Sequence, residues 1–143
     1  MVWAIDEEYL PNFMTPRDCP RVTYHVSAQT NSEDRYKFFS SSSSSHAVVL
    51  ENGWYHNILN TVLYIYEFEP DDFSLLDPVA GYYVARNTQY PVSKVAVHDL
   101  LGEILRRNVE LRITDNLWDL ADAVKASSLN WSLCRMKNAL PRR

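Results

Sequence analysis

The sequence predicts an α+β domain, with a mixed or antiparallel sheet of about six strands and about five helices packed on it. Three observations lead there. Stretches with a period of two and stretches with a helical period both occur, in an irregular order rather than a strict βαβ alternation. The chain is 46% apolar, 13% aromatic and 22% charged, which describes a globular chain and not a disordered one. Its 143 residues suit one domain with a proper core, residues 1–143.

The elements follow in chain order. Met1-Val2-Trp3-Ala4-Ile5 reads as the tail of a strand with no preceding element to pair with. An unpaired edge recruits another chain, so association through it is expected, most simply as a homodimer. Val22, Tyr24 and Val26 alternate with Thr23, His25 and Ser27, the pattern of a half-buried strand. Asn31-Ser32-Glu33-Asp34 opens a helix that runs to Phe39, with acids in its first turn. Ser40 to Ser45 offers no apolar surface and reads as a flexible surface loop. His46 to Leu50 is a short buried strand, and residues 52–59 suit a short helix with Trp54, Ile58 and Tyr55 inward.

Thr61 to Glu69 looks like the strongest strand, apolar on both sides, with Val62, Tyr64, Tyr66 and Phe68 opposite Leu63, Ile65 and Glu67. That pattern predicts a central position in the sheet. Pro70-Asp71-Asp72 ends it, and Gly81–Arg86 and Pro91–Val97 are two further strands. His98 to Asn108 is an amphipathic helix burying Leu100, Leu101, Ile104 and Leu105, with Asn108 at its C-terminal boundary. Val109 to Thr114 alternates as a strand. Residues 116–126 form a helix with Leu117, Leu120, Ala121 and Val124 inward. A last helix, residues 129–139, would bury Leu129, Leu133 and Met136.

Charge limits the partners. The net charge of −4 argues against a general nucleic-acid binder. No apolar run approaches the ~20 residues that a membrane helix needs. Residues 38–85 carry six acids and no Lys or Arg, whereas residues 123–143 carry five bases and no acid. The basic end reads as a solvated helix whose cations suit its dipole, or as a patch for an acidic partner. Cys19 and Cys134 are too few for a disulfide scaffold and read as free thiols of a cytoplasmic protein.

Candidate site residues cluster near the start. Pro16-Arg17-Asp18-Cys19-Pro20-Arg21 is stiffened by its prolines. Arg17 and Arg21 would grip a small anion such as a phosphate or carboxylate, or pair with Asp6, Glu7, Glu8 or Asp18. Flanked by these arginines, Cys19 is either a thiol of lowered pKa or a packed turn residue. Glu67, alone in an apolar strand, is either a buried carboxylate with a raised pKa or a solvated group past the sheet edge. Tyr82 and its neighbours Tyr66 and Tyr83 would wall a cleft beside it. The expected site is therefore the junction of the Arg17–Arg21 turn with the Glu67 and Tyr82 strands. The four histidines lack the spacing of known zinc motifs, so no metal is expected, and no cofactor is indicated.

Several blocks carry a resemblance: Trp3-Ala-Ile-Asp-Glu-Glu, the Pro16 to Val22 block, Gly81-Tyr-Tyr-Val, Val109-Glu-Leu-Arg-Ile and Arg135-Met-Lys-Asn-Ala. Together they resemble a family of small uncharacterised bacterial proteins over nearly the whole chain. The resemblance implies a bacterial, cytoplasmic protein and little chemistry. It also implies a further N-terminal stretch, with a Phe-His-x-Ser-like strand, that this chain lacks. That strand is faintly similar to the first strand of ADP-ribosyltransferase-like domains and of RNA 2′-phosphotransferases. Two functions are thus in play: a binding or interaction domain without catalysis, and an enzyme of the ADP-ribosyl or phosphotransferase type that is incomplete here.

Overall fold

Apolar side chains on both sides of one short strand decide the architecture. That strand, β3 (His46–Glu51), is buried along its whole length in the computed structural model, which describes residues 1–143. Its neighbours are β2 (Arg21–His25), antiparallel, and β8 (Glu110–Thr114), parallel. A fourth strand, β9 (Asn130–Cys134), runs antiparallel to β2 and completes a sheet of order β8-β3-β2-β9.

Successive residues of a strand face opposite ways, so each strand serves two layers. Val22, Tyr24, Ala47 and Val49 face one layer. They pack on Phe38 and Phe39 at the end of α1 (Ser32–Phe38) and on Leu117, Ala121 and Val124 of α4 (Trp118–Lys125) and its N-cap. The buried Tyr24 hydroxyl donates to the Phe38 carbonyl at 2.6 Å, so the ring enters the core without an unsatisfied polar atom. On the other face Val48 and Leu50 meet Met14, Cys19, Ile58 of α2 (Tyr55–Asn60) and Leu100 and Ile104 of α3 (Leu100–Leu105). Burying each such Val, Leu or Ile side chain contributes roughly 1.5–3 kcal/mol.

Two smaller sheets flank this frame. β1 (Val2–Ile5), β6 (Tyr82–Ala85) and β5 (Ser74–Asp77) form an antiparallel sheet in that order. β4 (Leu63–Glu67) and β7 (Ser93–Val97) form a two-stranded antiparallel ribbon. The helix caps follow their chemistry. Asn31 accepts from the Asp34 amide at 2.8 Å and Asp99 from the Gly102 amide at 3.0 Å. α3 ends earlier than its sequence boundary at Asn108, which takes a left-handed conformation, at φ 59°, in the turn that follows the helix.

Four expectations change. The count is nine strands and four α-helices in three sheets rather than about six and five in one. β5 escapes a period-two reading because Leu75 and Leu76 are adjacent and a register shift follows Leu75. β1 does have a mate, but it comes from far downstream: Val2 pairs with Ala85 and Ile5 with Tyr82. β4 is not central. It pairs only with β7, and Tyr64 and Tyr66 stand about half exposed, at 54% and 49%.

The fourth correction concerns residues 129–139, which form strand β9 and a 3-10 turn (Met136–Asn138) instead of a helix. Leu129 and Leu133 are four apart, which puts them on one face of a strand as well as of a helix. Arg135 then adopts φ 55°, a left-handed conformation that no helix interior accommodates.

Candidate functional site

The antiparallel register of β2 sets His25 opposite His46 on one side and Asn130 on the other. Row by row, the same face carries Cys134-Arg21-Leu50, Ser132-Thr23-Val48 and Asn130-His25-His46. The third row, at one end of this face, is polar at all three positions, whereas each of the other two carries one aliphatic residue, Leu50 or Val48. Its two imidazole centroids are 6.0 Å apart.

Tyr9 roofs the row. Its ring lies 4.7 Å from that of His25 and 6.1 Å from that of His46. Its hydroxyl is 3.1 Å from His25 Nε2, which Asn130 Nδ2 also approaches at 3.2 Å. An amide nitrogen only donates, so His25 Nε2 is an acceptor, the ring is neutral, and the Tyr9 O–H donates to it. His46 takes the other tautomer: its Nε2–H donates to Asn12 Oδ1 at 2.7 Å. Burial pushes the His46 pKa down to about 4, with the neighbouring His25 acting the same way. Burial also lowers His25. Tyr9 is raised by burial first, and then by the charges of Glu8 and Asp6. Nothing in the cluster is ion-paired; every group is both a donor and an acceptor, or an amide offering one of each.

The chain that carries Tyr9 is fixed from behind. The Tyr9 amide donates to Asp6 Oδ1 at 2.9 Å, and the Asp6 amide donates to the Gly81 carbonyl at 3.2 Å. Gly81 sits at φ 75°, and a Cβ there would fall 2.4 Å from Tyr9 Cδ2. Only glycine permits both the conformation and the approach. Pro11 then starts the 3-10 turn Leu10–Phe13, which lays Asn12 across the sheet.

Asn12 joins two neighbourhoods. Its side chain serves His46, and its carbonyl accepts from Arg21 Nε at 2.6 Å. Arg21 is buried, donates through Nη1 to the Cys19 carbonyl at 2.9 Å, and packs over the Phe13 ring at 5.3 Å. Its fork is therefore occupied by backbone. Tyr82 lies nearby, 5.7 Å from Phe13 and 5.9 Å from Trp3 by ring centroid, its pKa raised mainly by burial.

The other sequence candidates lie elsewhere. Arg17 is exposed on its turn and makes no hydrogen bond or ion pair. Glu67 is exposed on the ribbon, where it accepts from Ser93 Oγ at 3.0 Å; it is not held among apolar side chains. The structure thus gathers Arg21, Tyr82 and Cys19 but leaves Arg17 and Glu67 apart. For Cys19 the arginine effect loses to burial: its thiol is pushed up to about 11 although Arg21 pulls it down, and it donates to the Pro20 carbonyl. Sequence reasoning missed the histidine pair. Its only local sign was His25 standing on the polar side of an alternating strand, and the pairing partner is 21 positions away, across a helix and a loop. No three His, Cys, Asp or Glu side chains converge as metal ligands, and no helix is long and apolar enough to cross a membrane.

A family model described as "Family of unknown function (DUF6886)" matches residues 1–139. The chain belongs to that family. The match spans the Tyr9–His25–His46 row and all four sheet strands beneath it, so the site lies inside the part the family defines. No curated protein and no solved structure matches the chain, and the ADP-ribosyl or phosphotransferase reading gains no support from them.

Proposed function

We propose that this protein is a small binding domain whose ligand sits at the Tyr9–His25–His46 row. The observation that carries the reading is the in-register pair of neutral imidazoles under a phenol, with no charged partner. Burying polar groups costs free energy unless every one is satisfied, and an apolar row at this position would hold the sheet as well. Asn130, His25 and Tyr9 are only half-buried, so the row reaches solvent.

The chemistry favours a small uncharged molecule that both gives and takes hydrogen bonds, such as an amide, a sugar or a nucleobase edge. Asp6, Glu7 and Glu8 border the roof, and their charge opposes an anion. The anion expected at Arg17 and Arg21 is served less well, because Arg21 already donates to two carbonyls.

A thermal-shift screen of nucleosides, sugars and amides against phosphosugars and carboxylates tests the reading. A neutral ligand should raise Tm and move the His25 and His46 ring signals in NMR spectra. Tyr9→Phe should lose most of the shift. If only anions stabilise the protein, or if Tyr9→Phe keeps the full effect, the row is a structural feature and the proposal fails.

A further inference from the structure

Residues Leu140–Arg143 lie strapped across the edge of the first core layer, and their contacts are those of a bound peptide. The Leu140 amide donates to both carboxylate oxygens of Glu51, at 3.2 and 3.1 Å. Glu51 is 2% exposed, and this amide is the only hydrogen-bond partner of its carboxylate. Trp118 Nε1 donates to the Leu140 carbonyl at 2.7 Å, and Asn116 Nδ2 donates to the Pro141 carbonyl at 3.0 Å. Arg142 lies 4.2 Å over the Trp118 ring and meets Asp122 with two nitrogens, at 2.7 and 3.1 Å. Arg143 reaches Asp115 at 2.7 Å.

Backbone groups are read by Glu51, Trp118 and Asn116, and side chains by the Trp118 face and two aspartates. That division, main chain for affinity and side chains for selectivity, is how a groove recognises an extended segment. Each exposed ion pair is weak alone, but guanidinium stacking and a two-point carboxylate grip together select arginine over lysine. Arg142 holds Asp122 below the usual carboxylate range, and Arg143 does the same to Asp115. The family match stops at Ala139, so the strap falls outside the residues the family defines while its whole groove falls inside. A separate open groove of about 470 Å³ lies between β8 and α4, lined by Val49, Arg112, Ile113, Thr114 and Leu120.

We infer that the seam formed by Glu51, Asp115, Asn116, Trp118 and Asp122 is a recognition site for an extended Leu-Pro-Arg-Arg segment, filled in cis by residues 140–143. The last two bases of the chain, Arg142 and Arg143, are thus spent on its own surface. Tethering gives the cis segment an effective concentration on the order of millimolar, so the same segment from another chain binds only when the strap is released.

The probe is a fluorescein-labelled peptide, Ala-Leu-Pro-Arg-Arg, acetylated and amidated, titrated into the full chain and followed by anisotropy. Full-length Arg142→Ala/Arg143→Ala should bind it at least tenfold more tightly than wild type, and adding Asp122→Asn should abolish most of the gain. The Ala-Leu-Pro-Lys-Lys peptide should bind several-fold more weakly. Equal binding to wild type and double variant, no binding to the double variant, or equal binding of the lysine peptide would overturn the proposal. Amide exchange gives a second reading that needs no added peptide. Leu140 should be protected in the wild type and exchange at least tenfold faster in Asp122→Asn. An unprotected Leu140, or no change in Asp122→Asn, overturns it as well.

Discussion

Two strands of this molecule read almost alike and end in opposite surroundings. β3 (His-Ala-Val-Val-Leu-Glu) is buried at every position, whereas β4 (Leu-Tyr-Ile-Tyr-Glu) keeps its two tyrosines half in water. β3 is flanked by strands on both edges and by helices or loop on both faces. β4 has one neighbour and packs through Leu63 and Ile65 alone. The difference teaches that an apolar pattern on both faces states what a strand tolerates, and that topology decides what covers it. Aromatic side chains make the ambiguity worse, because a tyrosine is at home in a core or on a wet surface. On β4 the exposed faces of Tyr64 and Tyr66 are partly capped by Lys94, 4.7 and 5.7 Å from the two ring centres.

The contrast is sharpest in side-chain truncation. Leu50→Ala, at a fully buried position, should cost about 2–5 kcal/mol. Tyr64→Ala should cost under ~1 kcal/mol, because the side chain is already half exposed. Urea denaturation of both variants checks this, and equal losses would erase the distinction between the strands.

The polar end of β3 carries the next effect. His46 is held near 4 in the folded protein against an ordinary 6.5, so the unfolded chain binds the proton first as pH falls. Stability is therefore full above pH 6.5 and declines between 6.5 and about 4, by roughly 3 kcal/mol from this group, with His25 acting in the same direction. Melting curves from pH 7.5 to 4 should show the decline, and His46→Asn should flatten it. A His46→Asn profile parallel to the wild type would refute the assignment.

Gly81→Ala should destabilise by about 1–2 kcal/mol from its left-handed conformation alone, and should displace the Tyr9 ring from His25. A Tyr9 ring signal unmoved in NMR spectra would show that the roof does not depend on Gly81. The smallest effect concerns β1, whose outer edge is unpaired. Weak self-association through it should appear in sedimentation at high concentration and disappear in Trp3→Lys. A clean monomer at every concentration counts against it.

Much of this arrangement was legible in the sequence, for reasons that differ by element. α1 and α3 carry their own instructions: Asn31 and Asp99 cap them, and Phe38 or Leu100 and Ile104 fall on one face. The alternation Val22-Thr23-Tyr24 likewise names the side of β2 that joins the first core layer, but not that Arg21 and Thr23 on the other side are buried too. β9 was misread because Leu129 and Leu133 satisfy two periods at once. The site itself was hidden for a stronger reason. His25, His46, Asn12 and Tyr9 meet only through strand register and a turn laid across the sheet, and no spacing in the chain encodes that meeting. Cys19 and Arg21 looked reactive as neighbours in sequence, yet burial and two carbonyls absorb them.

The parallel pairing of β3 with β8 has a kinetic consequence. β2 and β3 close over a helix and a short serine loop, whereas β8 reaches β3 only after residues 52–109 have made their excursion. Closing a longer loop costs more entropy before any contact is gained, so the β2–β3 pair nucleates and β8 docks late. Every strand of the ribbon and of the β1-β6-β5 sheet except β1 lies within that excursion. By the same rule the closure that delivers Gly81 to the back of Tyr9 follows the β2–β3 pairing, and a chain halted before it would have those two strands paired and its histidines still uncovered.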